Sequence, residues 1–378
     1  MGMISLQHNY QRPLDGARGI AILLVLMSHQ HICSFGWTGV QLFFVLSGYL
    51  ITKILLQEKR NSQSLKTQLR NFWMRRVLRI FPVYYLYLLI LLVVWFFVGQ
   101  PIGFIRDLPY LITYTYNFRL SHTYDFSTFP IGHLWSLSVE EQFYLLYPFL
   151  IFLCRPKLLK TLLLILIAFS VCFRIVYAEY LQSIDTTRIE VLIEKTHYLT
   201  FSHFDSFLAG GIIPVFRLER ISQRIRALLF SGASLTMIIC GYFLYVRMWG
   251  PPSCTSCYLS DLGFEFGSMQ YYWPYLVLNF FLFTLVWVLV KDTGHDKPNF
   301  LQKIFSSGML VGIGKVSYGM YVIHLGFTYL LSHFRNRMEF ISNGYLLFVL
   351  YVITVYLTAF LSYKFYESRF LRLKEKFR

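Results

Sequence analysis

The chain has 378 residues, 56% of them hydrophobic, 19% aromatic and only 14% charged, where a soluble domain carries about 25% charged residues. Apolar runs such as 83–98, 158–171 and 276–290 reach, with their flanks, the roughly 20 residues that cross a hydrocarbon core, so a soluble globular fold is excluded. The net charge of +16 does not imply nucleic acid, because its placement follows membrane topology.

The predicted architecture is all-α, a polytopic membrane protein of about ten transmembrane helices. They are expected near residues 18–37, 39–56, 82–99, 134–153, 158–178, 198–216, 227–246, 272–290, 311–331 and 344–364, in one transmembrane domain covering 1–378. No linker, appended soluble domain or internal repeat is expected. The first apolar stretch runs into Ser28, His29, Gln30 and His31 rather than a small-residue cleavage site, so it reads as a retained helix and not as a signal peptide. With the N-terminus inside, the inner segments hold 26 Lys and Arg, Lys315 being a 27th, and the outer segments hold 8. The positive-inside rule then predicts that both termini are cytoplasmic. The 28 Tyr and 7 Trp suit the interfacial belts.

The first span reads PLDGARGIAILLVLMSH. Arg18 and His29 are eleven residues apart, which at about 100° per residue returns the side chain to within roughly 20° of the same face. Asp15, one turn before Arg18, can pair with it. His29 lies about 16 Å deeper than Arg18, near the bilayer midplane, where ionisable groups usually serve a pathway or a reaction. The alternative for His29 is a neutral histidine hydrogen-bonded between helices. Ahead of the third span, NFWMRRVLRIFPVYY carries Arg75, Arg76 and Arg79. Arginine forks match phosphate and would suit a cytoplasmic cofactor such as coenzyme A; ordinary anchoring to lipid headgroups is the alternative. The fourth span opens with GHLWSLSVEEQFYLLYP, where Glu140 and Glu141 point about 100° apart, so at least one carboxylate must enter the bundle. Asp205 lies in FSHFDSFLAGG, about one turn inside the sixth span, and is open to structural pairing as well as catalysis. His324 lies midway along the ninth span, in SYGMYVIHL. Counting helical rise from the expected span ends puts His29, Glu140, Asp205 and His324 in one slab of the outer half of the membrane. That predicts a shared polar chamber in which His29 and Glu140 meet and whose inner end is lined by Arg18, Arg75, Arg76 and Arg79.

Of the six cysteines, Cys33, Cys154, Cys172 and Cys240 lie in or beside apolar spans and read as packing residues. Cys254 and Cys257 fall in an outer loop, where a small disulfide is expected and two free thiols are the alternative. No further ligands stand near them, and no metal site is expected.

Together these segments resemble the acyltransferase-3 family of membrane O-acyltransferases. LDGARGIAILLVLMSH resembles the family's opening helix, with its arginine and histidine at Arg18 and His29. GVQLFFVLSGYLIT resembles its second helix, RRVLRIFPVYY its basic cytoplasmic motif, HLWSLSVEEQFY its fourth helix and SYGMYVIHL its late tyrosine–histidine helix. Ala17 replaces the usual leucine before the arginine, and Gln41 stands where relatives commonly carry aspartate. The resemblance implies a bacterial inner-membrane enzyme that carries an acyl group, commonly acetyl, from cytoplasmic acyl-CoA to a hydroxyl of an extracytoplasmic carbohydrate such as lipopolysaccharide O-antigen. Relatives that append a hydrolase-like SGNH domain use it in the later transfer. Its absence before Arg378 implies transfer completed in the membrane domain or by an unlinked partner.

On this reading His29 is the general base on the acceptor hydroxyl, Glu140 orients and stabilises the imidazole, and Arg18 neutralises charge near the thioester or orients the helix through Asp15. Arg75, Arg76 and Arg79 hold the CoA phosphates, while Asp15, Glu141, Asp205 and His324 are further candidates. Acetyl-CoA is a donor substrate rather than a resident cofactor; membrane lipid and a carbohydrate acceptor are the other partners. The rival class is a secondary transporter or flippase for a small polar solute, using the same buried groups as a proton relay.

Overall fold

Pro13 sits in the first turn of the first helix, where its missing N–H leaves no hydrogen bond unmade, and from there the chain is helical almost throughout. The computed structural model describes residues 11–33, 35–61, 63–98, 102–125, 130–184, 189–249, 273–290, 298–335 and 344–377. Every regular element among them is a helix. In chain order these are α1 Arg12–His29, α2 Thr38–Glu58, α3 Leu65–Val98, α4 Ile102–Ile112, α5 Tyr116–Thr123, α6 Trp135–Leu153, α7 Pro156–Ile184, α8 Ile189–His197, α9 Phe204–Val215, α10 Gln223–Trp249, α11 Trp273–Leu289, α12 Phe300–Phe305, α13 Gly308–Arg335, α14 Gly344–Ser362 and α15 Ser368–Leu373. The Cys254–Cys257 pair lies outside the described residues.

Every expected span coincides with a helix, but the boundaries differ. The first helix begins at Arg12 and ends at His29, so Arg18 stands two turns inside it rather than at its edge. The basic motif and the third span form one 34-residue helix, α3, about 50 Å long. Among the described residues, six helices are long and apolar enough to cross a membrane: Thr38–Glu58, Leu65–Phe97, Pro156–Ile184, Gln223–Gly241, Gly308–Ser332 and Gly344–Phe377. Helix α1 carries Arg12, Asp15 and Arg18, α6 carries Glu140 and Glu141, and α9 and α11 have only 12 and 17 residues, so composition and length do not mark these four as crossings and the expected count of ten is not confirmed. Large apolar side chains point outward along the long helices, among them Leu89, Val93 and Phe97 of α3 and Leu164, Ile165 and Val176 of α7, while Arg174, Asp205 and His324 are buried. Such an outer surface would aggregate in water and is the ordinary one in lipid. The chain is a multi-pass helical membrane protein.

The chain forms two compact units. One comprises residues 1–43, 54–154 and 304–378, the other 44–53 and 155–303. In the first, α1 packs along α13 more extensively than any other pair of helices, because glycines let the backbones touch. A Cβ at Gly314 would stand 1.8 Å from the Asp15 carbonyl oxygen, and one at Gly19 would stand 2.4 Å from that of Leu310. Small residues at such crossings are what membrane helices use in place of a hydrophobic driving force. Gly314→Ala is therefore expected to push α1 and α13 apart and to cost about 1–3 kcal/mol, read as a lower thermal midpoint of the purified protein. In the second unit, a Cβ at Gly48 of α2 would lie 1.8 Å from the Phe207 carbonyl oxygen, and one at Gly210 of α9 would lie 1.9 Å from that of Val45. The glycine at 210 thus serves close packing rather than a broken helix.

Candidate active site

The α1–α13 contact sets the site. At its far end, the ring of His29 meets that of His324 edge-on at 4.7 Å between centroids, and His324 meets His133 in the same manner at 4.6 Å. Three histidines from α1, α13 and the turn before α6 thus stand in a row. Each is tied to a backbone carbonyl: His29 Nδ1–H donates to Val25 O at 2.9 Å, His324 Nδ1–H to Tyr321 O, and His133 Nε2–H to Val322 O at 2.9 Å. A carbonyl only accepts, so each of these nitrogens carries the proton and the other nitrogen of the neutral ring presents a lone pair. Nε2 of His324 and Nδ1 of His133 are buried with no partner among the described residues. The hydroxyls of Ser136 and Tyr321 bond to each other and both reach the His133 carbonyl, at 3.0 and 3.1 Å, which fixes the turn that delivers His133. No group of three or more His, Cys, Asp or Glu among the described residues is arranged to hold a metal ion.

About 16 Å back along α1, Arg18 is paired with Asp15 at 2.7 Å, as its spacing predicts. Around it stand Arg76 and Arg79 of α3, close enough for like-charge repulsion with Arg18 or with each other. Lys374, in the last turn of the chain, is near all of them and near Arg75. Arg75 is held by Glu58 and by the carbonyl of Phe377. Arg76, Arg79 and Lys374 are in no ion pair among the described residues, and Arg76 Nε is buried without a partner. Cations gathered in this way at low dielectric are stable only with an anion to answer them. The sequence-level grouping of Arg18 with Arg75, Arg76 and Arg79 is what the structure shows.

The carboxylates are placed differently from expectation. Helix α6 runs antiparallel to α3: Trp73 Nε1 donates to Tyr144 O at 3.2 Å, while Tyr87, further along α3, meets the ring of His133 in the turn before α6 at 6.1 Å between centroids. Glu140 accepts from the Tyr144 hydroxyl, and Tyr144 lies under the Arg76 guanidinium at 5.9 Å. The polar contacts of His29 among the described residues are Val25 and His324, so the expected meeting of His29 with Glu140 is corrected. The residue of this segment that reaches the histidines is His133, seven positions earlier and about 10 Å along the axis. The physical reason lies at the start of α6. Ile131, His133 and Leu134 are buried, so α6 begins inside the molecule, and six residues inward from there is deeper than six from a membrane surface. Glu141 keeps a buried Oε1 without a partner, with the charge of Arg76 nearby.

In the second unit, Asp205 is chelated by Arg174, with Nη1–Oδ1 at 3.0 Å and Nη2–Oδ2 at 2.5 Å, and also accepts from Ser170 and the Ser206 amide. Both side chains are almost wholly buried. Of the two possibilities open in the sequence, structural pairing is the one this geometry displays.

Several site residues were not singled out by the sequence. His133 lies inside the GHLWSLSVEEQ string but just ahead of the expected span. Arg174 stands in the expected fifth span, 158–178, and a guanidinium in an apolar run is itself a signal. Glu367 is buried at a π-helical turn, Tyr363–Glu367, a distortion common at functional sites. It faces Arg79, and no periodicity announces the extra residue of such a turn.

A polytopic helical membrane protein with an interior row of histidines and, on the same first helix, an arginine in a basic cluster is the class that fold and site define. The acyltransferase domain of the acyltransferase-3 type matches residues 12–364, and the chain belongs to that family. It is 28% identical over 379 residues to the peptidoglycan O-acetyltransferase OatA of Listeria monocytogenes serovar 1/2a, covering 95% of this chain and 55% of the relative. It is 29% identical over 382 residues to the O-acetyltransferase OatA of Staphylococcus aureus strain NCTC 8325, covering 95% and 57%. The chain therefore spans about half the length of the curated relatives it matches. No solved structure matches it.

Proposed function

We propose that the protein is a membrane O-acetyltransferase that takes the acyl group of cytoplasmic acetyl-CoA and esterifies a hydroxyl of an extracytoplasmic glycan. The observation that carries this is the placement, on one helix, of Arg18 in a basic cluster and of His29 in the histidine row. The gap of about 16 Å is one that an extended pantetheine arm covers. Arg76, Arg79 and Lys374 would hold the CoA phosphates, with Arg18 nearest the arm and Arg75 tethered beside them. His29, its Nδ1 proton held by Val25, offers Nε2 as general base. It takes the proton of the acceptor hydroxyl as that oxygen attacks the thioester carbonyl. The tetrahedral intermediate then collapses, the C–S bond breaks, and the departing thiolate takes the proton back from the imidazole. Glu140 and Glu141, at the level of the arginines, would act on the thioester side rather than on the imidazole.

The acceptor class is a surface or cell-wall glycan, with lipopolysaccharide O-antigen and peptidoglycan as the two to try. Peptidoglycan is favoured by the name of the Listeria relative. A bacterial inner membrane is the location this reading implies, and the charge asymmetry supports placing both termini on the cytoplasmic side. Purified protein in lipid nanodiscs should release CoA from acetyl-CoA only when a suitable glycan is present; release that is indifferent to every glycan, or absent, would reject the proposal. Arg76→Ala and Arg79→Ala should each weaken acetyl-CoA binding roughly tenfold, the worth of a charge-assisted phosphate contact. Unchanged affinity in both would return the arginines to lipid anchoring.

A further inference from the structure

Helix α3 runs on for about 30 Å beyond its arginines, and α4 and α5, which follow it, pack back against its middle, where Tyr84 and Tyr85 donate to the carbonyls of Leu111 and Ile112 and Tyr114 stacks on Phe81 and Tyr84. There Asp107 of α4 is fully buried and Arg119 of α5 is 8% exposed, with Arg119 Nε 3.3 Å from Asp107 Oδ1. Tyr116, one turn before Arg119, is fully buried and feels both charges. Each of the three keeps one buried polar atom with no partner among the described residues: Asp107 Oδ2, an acceptor; Arg119 Nη1, a donor; and the Tyr116 hydroxyl, which is both. Three such atoms on two adjoining helices are costly to leave unanswered. Burial raises the Asp107 carboxyl above the usual carboxylate range even though its arginines pull the other way, which marks a carboxylate short of hydrogen bonds.

Among the described residues, the cover of this cluster is light. Arg106 Nη1 and Asp125 Oδ2 pair at 2.7 Å with side chains 43% and 52% exposed, and Asp125 reaches Arg119 Nη2 only at 3.6 Å. An exposed pair of this kind contributes little and opens readily. The base is firm: Gln142 of α6 donates to Tyr114 O at 2.7 Å and to Asn117 Oδ1 at 2.9 Å, which locks α5 onto the helix whose entry turn carries His133. Charge selects the ligand. Asp107 repels phosphate and carboxylate, the two arginines repel cations, and what remains is a neutral molecule rich in hydroxyls that can donate to one atom and accept from the next.

We propose that Asp107, Arg119 and Tyr116 form a subsite for the sugar hydroxyls of the glycan acceptor, with the Arg106–Asp125 pair as its cover. The subsite rests on the reading of the acceptor as a glycan. It is tested by equilibrium binding of chitotetraose, maltotetraose and a soluble peptidoglycan fragment to the nanodisc-embedded protein, with acetyl-CoA binding and the thermal midpoint measured alongside. The wild type should bind at least one of the three. Tyr116→Phe should weaken that binding about fivefold and Asp107→Asn about tenfold, with acetyl-CoA affinity unchanged in both. If the cluster is structural only, Tyr116→Phe removes an unsatisfied buried hydroxyl and leaves sugar binding untouched; that outcome overturns the proposal. Should Asp107→Asn fail to fold, Tyr116→Phe decides alone. A wild type that binds none of the three also overturns the subsite, while the acetyltransferase reading is judged separately by glycan-dependent CoA release.

Discussion

Replacing His29 by alanine is expected to slow acetyl transfer to the glycan by roughly 10²–10⁴-fold, the usual contribution of a positioned general base, while acetyl-CoA still binds. The expectation follows from the tautomer. Because Val25 O can only accept, the Nδ1 of His29 must carry the hydrogen, and Nε2 is the nitrogen left to take a proton. The Gly19 and Gly314 contacts keep α1 against α13, so the ring stays in place with or without substrate. His29→Gln, which retains size and polarity but cannot serve as a base near neutral pH, should be nearly as slow. The measurement is glycan-dependent CoA release under saturating acetyl-CoA, with the amount of folded protein checked for each variant. A well-folded His29→Ala protein that transfers at the wild-type rate would sink the mechanism, and His29 would revert to an interhelical hydrogen-bonding role although family membership stands.

The second large effect is expected on stability. Asp205→Ala should cost about 3–5 kcal/mol, because it leaves the buried Arg174 guanidinium without its partner. The pair is bidentate, and its side chains are 1% and 3% exposed, so solvent cannot step in. Replacing both members, as Arg174→Met with Asp205→Leu, should recover most of the loss, since desolvating the two charges offsets much of their attraction. Thermal unfolding of the purified variants reads this directly. If Asp205→Ala keeps the wild-type midpoint yet loses turnover, Asp205 belongs to the chemistry and its pairing with Arg174 is incidental.

The all-helical membrane architecture and the pairing of Arg18 with Asp15 were legible because they depend on hydropathy and helical period, which act over a few turns of chain. The same short-range logic joined Arg18 and His29 on one face of α1 and marked His324 and the two glutamates as buried groups needing a reason. Where that logic stopped is instructive. The level of Glu140 was inferred from an assumed membrane surface at residue 134, but α6 starts in the interior, beside a Ser136–Tyr321 contact between residues 185 positions apart. His133 therefore takes the place beside His324, and Glu140 falls to the level of Arg76. The pairing of Asp205 with Arg174 is equally long-range, since both lie in apolar runs that give no sign of which charge will face which. By itself the sequence determined which residues must leave the lipid, because a charge or imidazole in hydrocarbon is expensive wherever the helix goes. Only the tertiary structure decided which of them meet, because partner choice depends on the depth and register of whole helices, and these are set by backbone contacts at glycines such as Gly19 and Gly314 that hydropathy does not encode.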